Sequence, residues 1–273
     1  ATMMVGRQVL LRVQRTQADP GEIVLTVEDL NALNNKNLPA LHDISFAVRE
    51  GEILGIAGVE GNGQSELVEV LTGLRRVKSG QVELNGQVIT NFTPRMVREG
   101  GTCHIPEDRH RRGLVLDFSV AQNMVLGIHY QSPYVRHMLL DVINLGPIKE
   151  KAQRLLQEFD IRPLDQENPA GNLSGGNQQK VIVARELDQK PKLLIAAQPT
   201  RGIDVGSIEF IHQRLLQARD DGKAVLLVSA DLEEILSISD RIAVMYEGQI
   251  VGMLDPAEAT EARLGLMMTG GGR

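Results

Sequence analysis

The chain contains no tryptophan, three tyrosines, five phenylalanines and a single cysteine. With Cys103 alone, neither an internal disulfide nor a cysteine metal cluster can form, so a small buried apolar role in a reducing cytosol is expected. Long apolar runs are missing as well. Leu193 to Ala197 and Ala224 to Val228 fall far short of the roughly 20 residues that cross a bilayer, which predicts a soluble or peripheral protein. Basic excess is absent: 29 lysines and arginines face 35 acidic residues, and the cations are scattered, so no electrostatic footprint for nucleic acid exists. His104, His110, His129 and His137 share no close spacing suited to a metal, and none is expected to hold one. The amino terminus has no apolar signal segment, so nothing suggests export.

What the 273 residues do contain is enough apolar material, 42%, for one large domain or two modest ones. Residues 1–21 are polar, end in Asp19-Pro20-Gly21, and read as a linker from a preceding domain. Met3-Met4-Val5-Gly6 resembles Met267-Met268-Thr269-Gly270, which hints that the start is the tail of an earlier copy in a longer chain. Ile23 to Val27 and Ile44 to Val48 alternate as half-buried strands do, whereas Ile53 to Ala57 is a continuous apolar run suited to a buried strand. Gly80 to Gly86 reads as a strand entering a hairpin turn. Between Phe118 and Asp188 helical patterns dominate, with Ala152, Leu155, Leu156 and Phe159 on one stripe, and an inserted helical lobe over about 110–188 is expected. Strands Leu193 to Ala197, Ala224 to Ser229 and Ile242 to Tyr246 then alternate with helices Ser207 to Arg219 and Leu232 to Ile238. That order predicts an α/β fold with a mainly parallel sheet and an antiparallel part.

Gly58-Val59-Glu60-Gly61-Asn62-Gly63-Gln64-Ser65 follows a buried strand and opens a helix. It fits the phosphate-loop pattern G-x-x-x-x-G-K-S at every fixed position except the lysine, where Gln64 stands. Gly58, Gly61 and Gly63 would let backbone N–H groups converge on a phosphate, and Ser65 keeps the type that ligates magnesium. Gln64 brings a neutral amide in place of a point charge, and Glu66 adds a carboxylate. Alone, such a loop is more often an ordinary strand-to-helix turn than a nucleotide site.

Leu173-Ser174-Gly175-Gly176-Asn177-Gln178-Gln179 precedes a helical run, so Ser174 caps a helix whose first turn is bare of side chains. In order, the glycine-rich loop, Pro106-Glu107-Asp108-Arg109, the helical lobe, this motif, an apolar strand and Pro199-Thr200-Arg201-Gly202-Ile203-Asp204 resemble the ABC ATPase family over about residues 22–255. The resemblance implies a P-loop NTPase-like ABC domain, placed here at 22–273. It also implies head-to-tail pairing, in which each ATP with its magnesium lies between one domain's phosphate loop and the other's signature.

Carried onto this sequence, the family's magnesium aspartate and water-activating glutamate fall on Ala197 and Gln198, and its switch histidine falls on Ala230. Glu107 stands at the hinge glutamine, and Leu30 to Leu38 lacks an aromatic to stack adenine. Alanine offers no metal ligand, and glutamine cannot accept a proton as a carboxylate does. The resemblance therefore implies a half that does not hydrolyse its own ATP and binds nucleotide weakly or not at all. Ser174, Gly175, Gly176 and Gln178 would face the γ-phosphate of a partner's ATP, with Asp204 and Glu107 coupling the sites.

AAQPTRGIDVG and LSGGNQQKVIVAREL, with the MMVGR segment, look like the second half of tandem ATP-binding proteins of ribose-type and nucleoside importers. That implies a competent ABC domain as partner in the same parent chain and membrane permease subunits. A solute-binding protein would act indirectly, and the expected place is the cytoplasmic face of the bacterial plasma membrane. Gln131 to Pro147, with Tyr134, Leu139, Leu140, Val142 and Ile143, is the candidate permease contact; an ordinary buried helix and turn is the other reading. Met267 and Met268 are expected to pack. Alternatives are a divergent but active ATPase, a soluble ABC protein of repair or translation, and a regulatory module whose loop holds another anion.

Overall fold

The computed structural model describes residues 16–137 and 141–271. Met3 to Gly6, with the rest of the first fifteen residues, and Leu139 and Leu140 of the candidate contact segment lie outside the described residues. In chain order the strands are β1 (Ile23–Leu33), β2 (Pro39–Arg49), β3 (Ile53–Ala57), β4 (Val77–Leu84), β5 (Gln87–Val88), β6 (Thr102–Ile105), β7 (Val135–His137), β8 (Asp141–Ile143), β9 (Leu193–Ala197), β10 (Ala224–Ser229), β11 (Arg241–Tyr246) and β12 (Gln249–Leu254). The helices are α1 (Gln64–Leu71), α2 (Pro94–Glu99), α3 (Val120–Asn123), α4 (Leu145–Glu158), α5 (Gly175–Asp188), α6 (Val205–Asp220), α7 (Leu232–Ile238) and α8 (Glu261–Met268). Contacts divide the chain into two compact units.

One unit holds the described residues of 10–104 with 191–198 and 212–271. Its larger sheet runs β12-β11-β3-β10-β9-β6. The runs Ile53–Ala57, Leu193–Ala197 and Ala224–Ser229 are buried at every position, as strands covered on both faces must be, and they pair in parallel: Leu226 faces Leu54 on one side and Ile195 on the other. β11 joins β3 in parallel, while β12 turns back antiparallel along the edge. A second, antiparallel sheet runs β2-β1-β4-β5. There β1 alternates, burying Val24, Leu25, Val27, Leu30 and Ala32, and its register slips between Val27 and Leu30 where Asp29 takes φ 45°. One core cluster joins Leu25, Ile44 and Val82 of the antiparallel sheet, Leu67 and Leu71 of α1, and Leu54, Ile56 and Leu226 of the larger sheet. Arg219, 1% exposed, pairs with Asp240 (2.8 Å) and donates to Thr16 (2.8 Å); Asp240 in turn accepts from the Ile53 N–H (2.9 Å). The α/β class with a mainly parallel sheet and an antiparallel part is thus observed. Absent from the sequence reading were β6, β12, α2 and α8, each short and without a periodic apolar pattern long enough to read.

The other unit comprises 105–190 and 199–211 among the described residues. Its α4 carries the expected stripe: Ala152, Leu155 and Leu156 are buried, and Phe159 closes it edge-on against Phe210. Asp188 accepts from Lys151 Nζ and Arg154 Nη2, each at 2.6 Å, which ties α4 to the end of α5.

The helical reading of Gln131 to Pro147 is corrected. β7 and β8 form a small antiparallel hairpin with Val135 opposite Ile143, closed by the Asn144 N–H donating to Tyr134 O at 2.8 Å. Pro133 and the β-branched Val135, Val142 and Ile143 disfavour a helix there, and Leu145 opens α4 only after the hairpin.

Candidate nucleotide and signature sites

In the first unit, β3 ends at Ala57 and α1 begins at Gln64, so Gly58 to Gly63 must turn the chain. Gly61 and Gly63 adopt φ 91° and 96°, a region that glycine enters without penalty. A Cβ on Gly63 would lie 2.8 Å from Ala40 O and 2.9 Å from Met245 Cε, so glycine is required there for space as well. No side chain caps α1, whose amino end keeps the backbone character of an anion nest. Asn62 anchors the loop: its Nδ2 donates to Met268 O (3.3 Å), while its Oδ1 and its carbonyl accept from Glu247 N (3.2 Å) and Gly248 N (2.9 Å). Met268 itself is buried.

Gln64 folds back against the start of the loop, where its Cδ and Nε2 lie 3.1 and 3.2 Å from the place a Cβ on Gly58 would occupy. It is 6% exposed, and its Nε2 donates to Ile56 O and Ser229 O, both at 3.4 Å, at the ends of β3 and β10. Beside the loop, an open cleft of about 540 Å³ is bordered by Gly61, Gly63, His42, Glu66 and Glu247. Glu66 and Glu247 bring two carboxylates to this cleft, and among the described residues lining it there is no lysine or arginine. Ala197 is buried at the end of β9. Gln198 follows with φ 46° and donates its N–H to Val228 O at 2.8 Å; Ala230, half-buried, follows β10. Neither Ala197 nor Gln198 brings a carboxylate, so the end of β9 does not fit a magnesium ligand set.

The second unit carries the signature. Ser174 caps α5: its Oγ accepts from Asn177 N (3.4 Å) and Asn177 Nδ2 (3.0 Å), and its own proton stays available to donate. Asn177 Oδ1 accepts from Arg162 N at 2.9 Å, which fixes the turn from its other side. Gly176 is packed on the Asp204 turn, because a Cβ there would stand 2.1 Å from Ser207 Oγ and 2.6 Å from Asp204 Oδ2. Asp204 accepts from Ser207 N (3.0 Å) and Ser207 Oγ (2.8 Å). Burial pushes its carboxyl up, but those bonds and the charge of Lys180 outweigh it and hold Asp204 below the usual carboxylate range.

Gln178, expected to face a partner's phosphate, is held within this unit. It is 6% exposed, and its amide is used inside the unit, donating to Ala170 O (3.2 Å) and meeting His110 Nε2 (2.9 Å). The helical period explains this: Gln178 lies on the buried face with Val181 and Ile182. Glu107 pairs with Arg201 at 2.8 Å. Sequence reasoning gave no role to Gln179, whose buried Nε2 donates to Pro199 O (2.8 Å), or to Arg109, which donates to Arg201 O (2.9 Å) and Gly202 O (3.3 Å). Spacing along the chain carries no signal for these contacts between distant segments.

Residues 41–201 match the sequence profile of the ABC transporter family, and the chain belongs to that family. It is 50% identical to the guanosine import ATP-binding protein NupO of Bacillus subtilis (strain 168), over 99% of this chain and 52% of that protein. The nucleoside import ATP-binding protein NupA of Lactococcus lactis subsp. cremoris (strain MG1363) is 48% identical over 99% of this chain and 53% of its own length. The chain thus spans about half the length of these curated relatives. Among solved structures, a nucleotide-free ATP-binding cassette from an ABC transporter superposes with a TM-score of 0.74 at 24% identity. The match covers 91% of this chain and 96% of that one, and shows the shared fold. No helix among the described residues is long and apolar enough to cross a membrane.

Proposed function

We propose that this chain is the ATP-binding half of an importer for nucleosides or sugars, peripheral at the cytoplasmic face of the bacterial plasma membrane. Its own site (Gly58, Gly61, Gly63, Gln64 and Ser65) holds nucleotide weakly and does not hydrolyse it. Ser174, Gly175 and Gly176 complete the magnesium-ATP site of a competent ABC domain, which belongs to the same parent chain. The carrying observation is Gln64, whose amide is committed to Ile56 O and Ser229 O beside a cleft bearing Glu66 and Glu247. Ala197, Gln198 and Ala230 support it, since phosphoryl transfer rests on positioned charge and none remains at these positions.

At the signature, the Ser174 hydroxyl and the glycine-bare start of α5 present donors and a positive helix end, the chemistry a terminal phosphate requires. Asp204 and Glu107 act as coupling residues, Glu107 through Arg201. The similarity to NupO and NupA supports nucleoside import as the transport class, with permease subunits as partners and a solute-binding protein acting indirectly. The exposed Val142, Ile143 and Leu145 of the hairpin region are the proposed permease contact.

Steady-state magnesium-ATP turnover tests the proposal, measured for this chain alone and together with its competent partner domain. Alone, background turnover is expected; with the partner, turnover that Ser174→Arg abolishes. Hydrolysis by the isolated chain at an ordinary rate of about 1 per second or more refutes it.

A further inference from the structure

Within the unit of 105–190 and 199–211, three segments far apart in sequence converge on one guanidinium. Asp108 caps the five-residue turn Arg109–Gly113, accepting from His110 N and Arg111 N, both at 3.0 Å, and so sets where Arg109 leaves the backbone. Arg109 Nη1 donates to Arg201 O (2.9 Å) and Nη2 to Gly202 O (3.3 Å). The same Nη2 lies 3.1 Å from the place a Cβ on Gly175 would occupy, so the fork rests against the signature turn as it grips the Arg201–Gly202 turn. The next signature residue, Gly176, packs on Asp204 and Ser207. Two consecutive carbonyls with a glycine wall behind them suit a planar fork with fixed donor directions, which lysine lacks. Arg109 Nε is buried and makes no hydrogen bond among the described residues, so the side chain is aimed by its two terminal nitrogens alone.

We propose that Arg109 is a positioning residue for ATP turnover: it sets the spacing between the signature turn and the Asp204 turn that together meet the partner domain's ATP. The proposal rests on the trans role assigned above to Ser174. Small errors in such spacing cost turnover more than nucleotide affinity, because the competent domain's own phosphate loop supplies most of the binding.

The test compares Arg109→Ala, Arg109→Lys and Ser174→Arg in the chain paired with its competent domain, reading kcat and KM for magnesium-ATP per folded complex alongside the thermal midpoint. Arg109→Ala is expected to lower kcat by about 10- to 100-fold with KM held within about twofold, and Arg109→Lys to fail to rescue it. An unchanged kcat in Arg109→Ala, with Ser174→Arg inactive, overturns the positioning role and leaves the trans role standing. Full activity of Ser174→Arg overturns the trans role itself. Wild-type kcat in Arg109→Lys overturns the fork argument, and this variant carries the comparison should Arg109→Ala not fold.

Discussion

Gly176→Ala is the sharpest probe of how the signature turn is held. The new methyl would stand 2.1 Å from Ser207 Oγ and 2.6 Å from Asp204 Oδ2, well inside contact distance, so the Ser207 hydroxyl and the Asp204 carboxylate must both move aside. That breaks the 2.8 Å bond from Ser207 Oγ to the Asp204 carboxylate, leaving the backbone bond from Ser207 N. A hydrogen bond to a charged group contributes about 1.5–3 kcal/mol. Replacing glycine by alanine in a helix returns up to about 1 kcal/mol. A net loss of about 0.5–2 kcal/mol follows, which for a chain of this size lowers the thermal midpoint by about 1–8 °C. The same substitution made with Ser207→Ala should be about 1.5–3 kcal/mol milder, because the hydroxyl it displaces is already gone. Thermal unfolding of the four proteins of this cycle measures both quantities. A Gly176→Ala protein as stable as the parent, or an equal cost in the two backgrounds, refutes the packing of signature glycine on the Asp204 turn.

Asp188 predicts a pH dependence. Burial raises its carboxyl, but hydrogen bonds from Lys151 and Arg154 outweigh that and hold it below the usual range. Its stabilisation is therefore complete above the unfolded carboxylate value of about 3.9 and lost as pH falls through the lower folded value. Asp188→Asn should flatten the acid limb of stability measured by chemical denaturation, and an unaltered limb counts against the pairing. Gln64→Lys should leave magnesium-ATP turnover of the isolated chain at background, since Ala197, Gln198 and Ala230 still lack the charges of hydrolysis; a phosphate-release assay showing ordinary turnover disproves this. Val142→Asp with Ile143→Asp, at side chains 52% and 50% exposed, should change stability by about 1 kcal/mol or less yet prevent co-purification with permease subunits. Retained association removes the hairpin from the proposed contact.

Much of the fold was legible along the chain because the information is local. β3, β9, β10 and α7 lie at the residues their apolar runs and helical stripe predict, since continuous burial and a 3.6-residue period leave a direct imprint on composition. The glycine turn at Gly61 and Gly63 and the Ser174 cap were equally legible, because each belongs to a short motif. The hairpin at Val135 to Ile143 was not, since three-residue strands give no period to detect.

What tertiary structure alone decided is the direction in which motif side chains point. Gln64 lies in the loop motif yet bonds the ends of β3 and β10. Gln178 lies in the signature motif yet is consumed by Ala170 and His110, while Arg109, with no role legible in the sequence, rests against the signature turn and grips the Arg201–Gly202 turn. Residue type states which bonds a side chain can make. Which partners come within about 3 Å depends on how distant segments pack, and that is not written in any one of them.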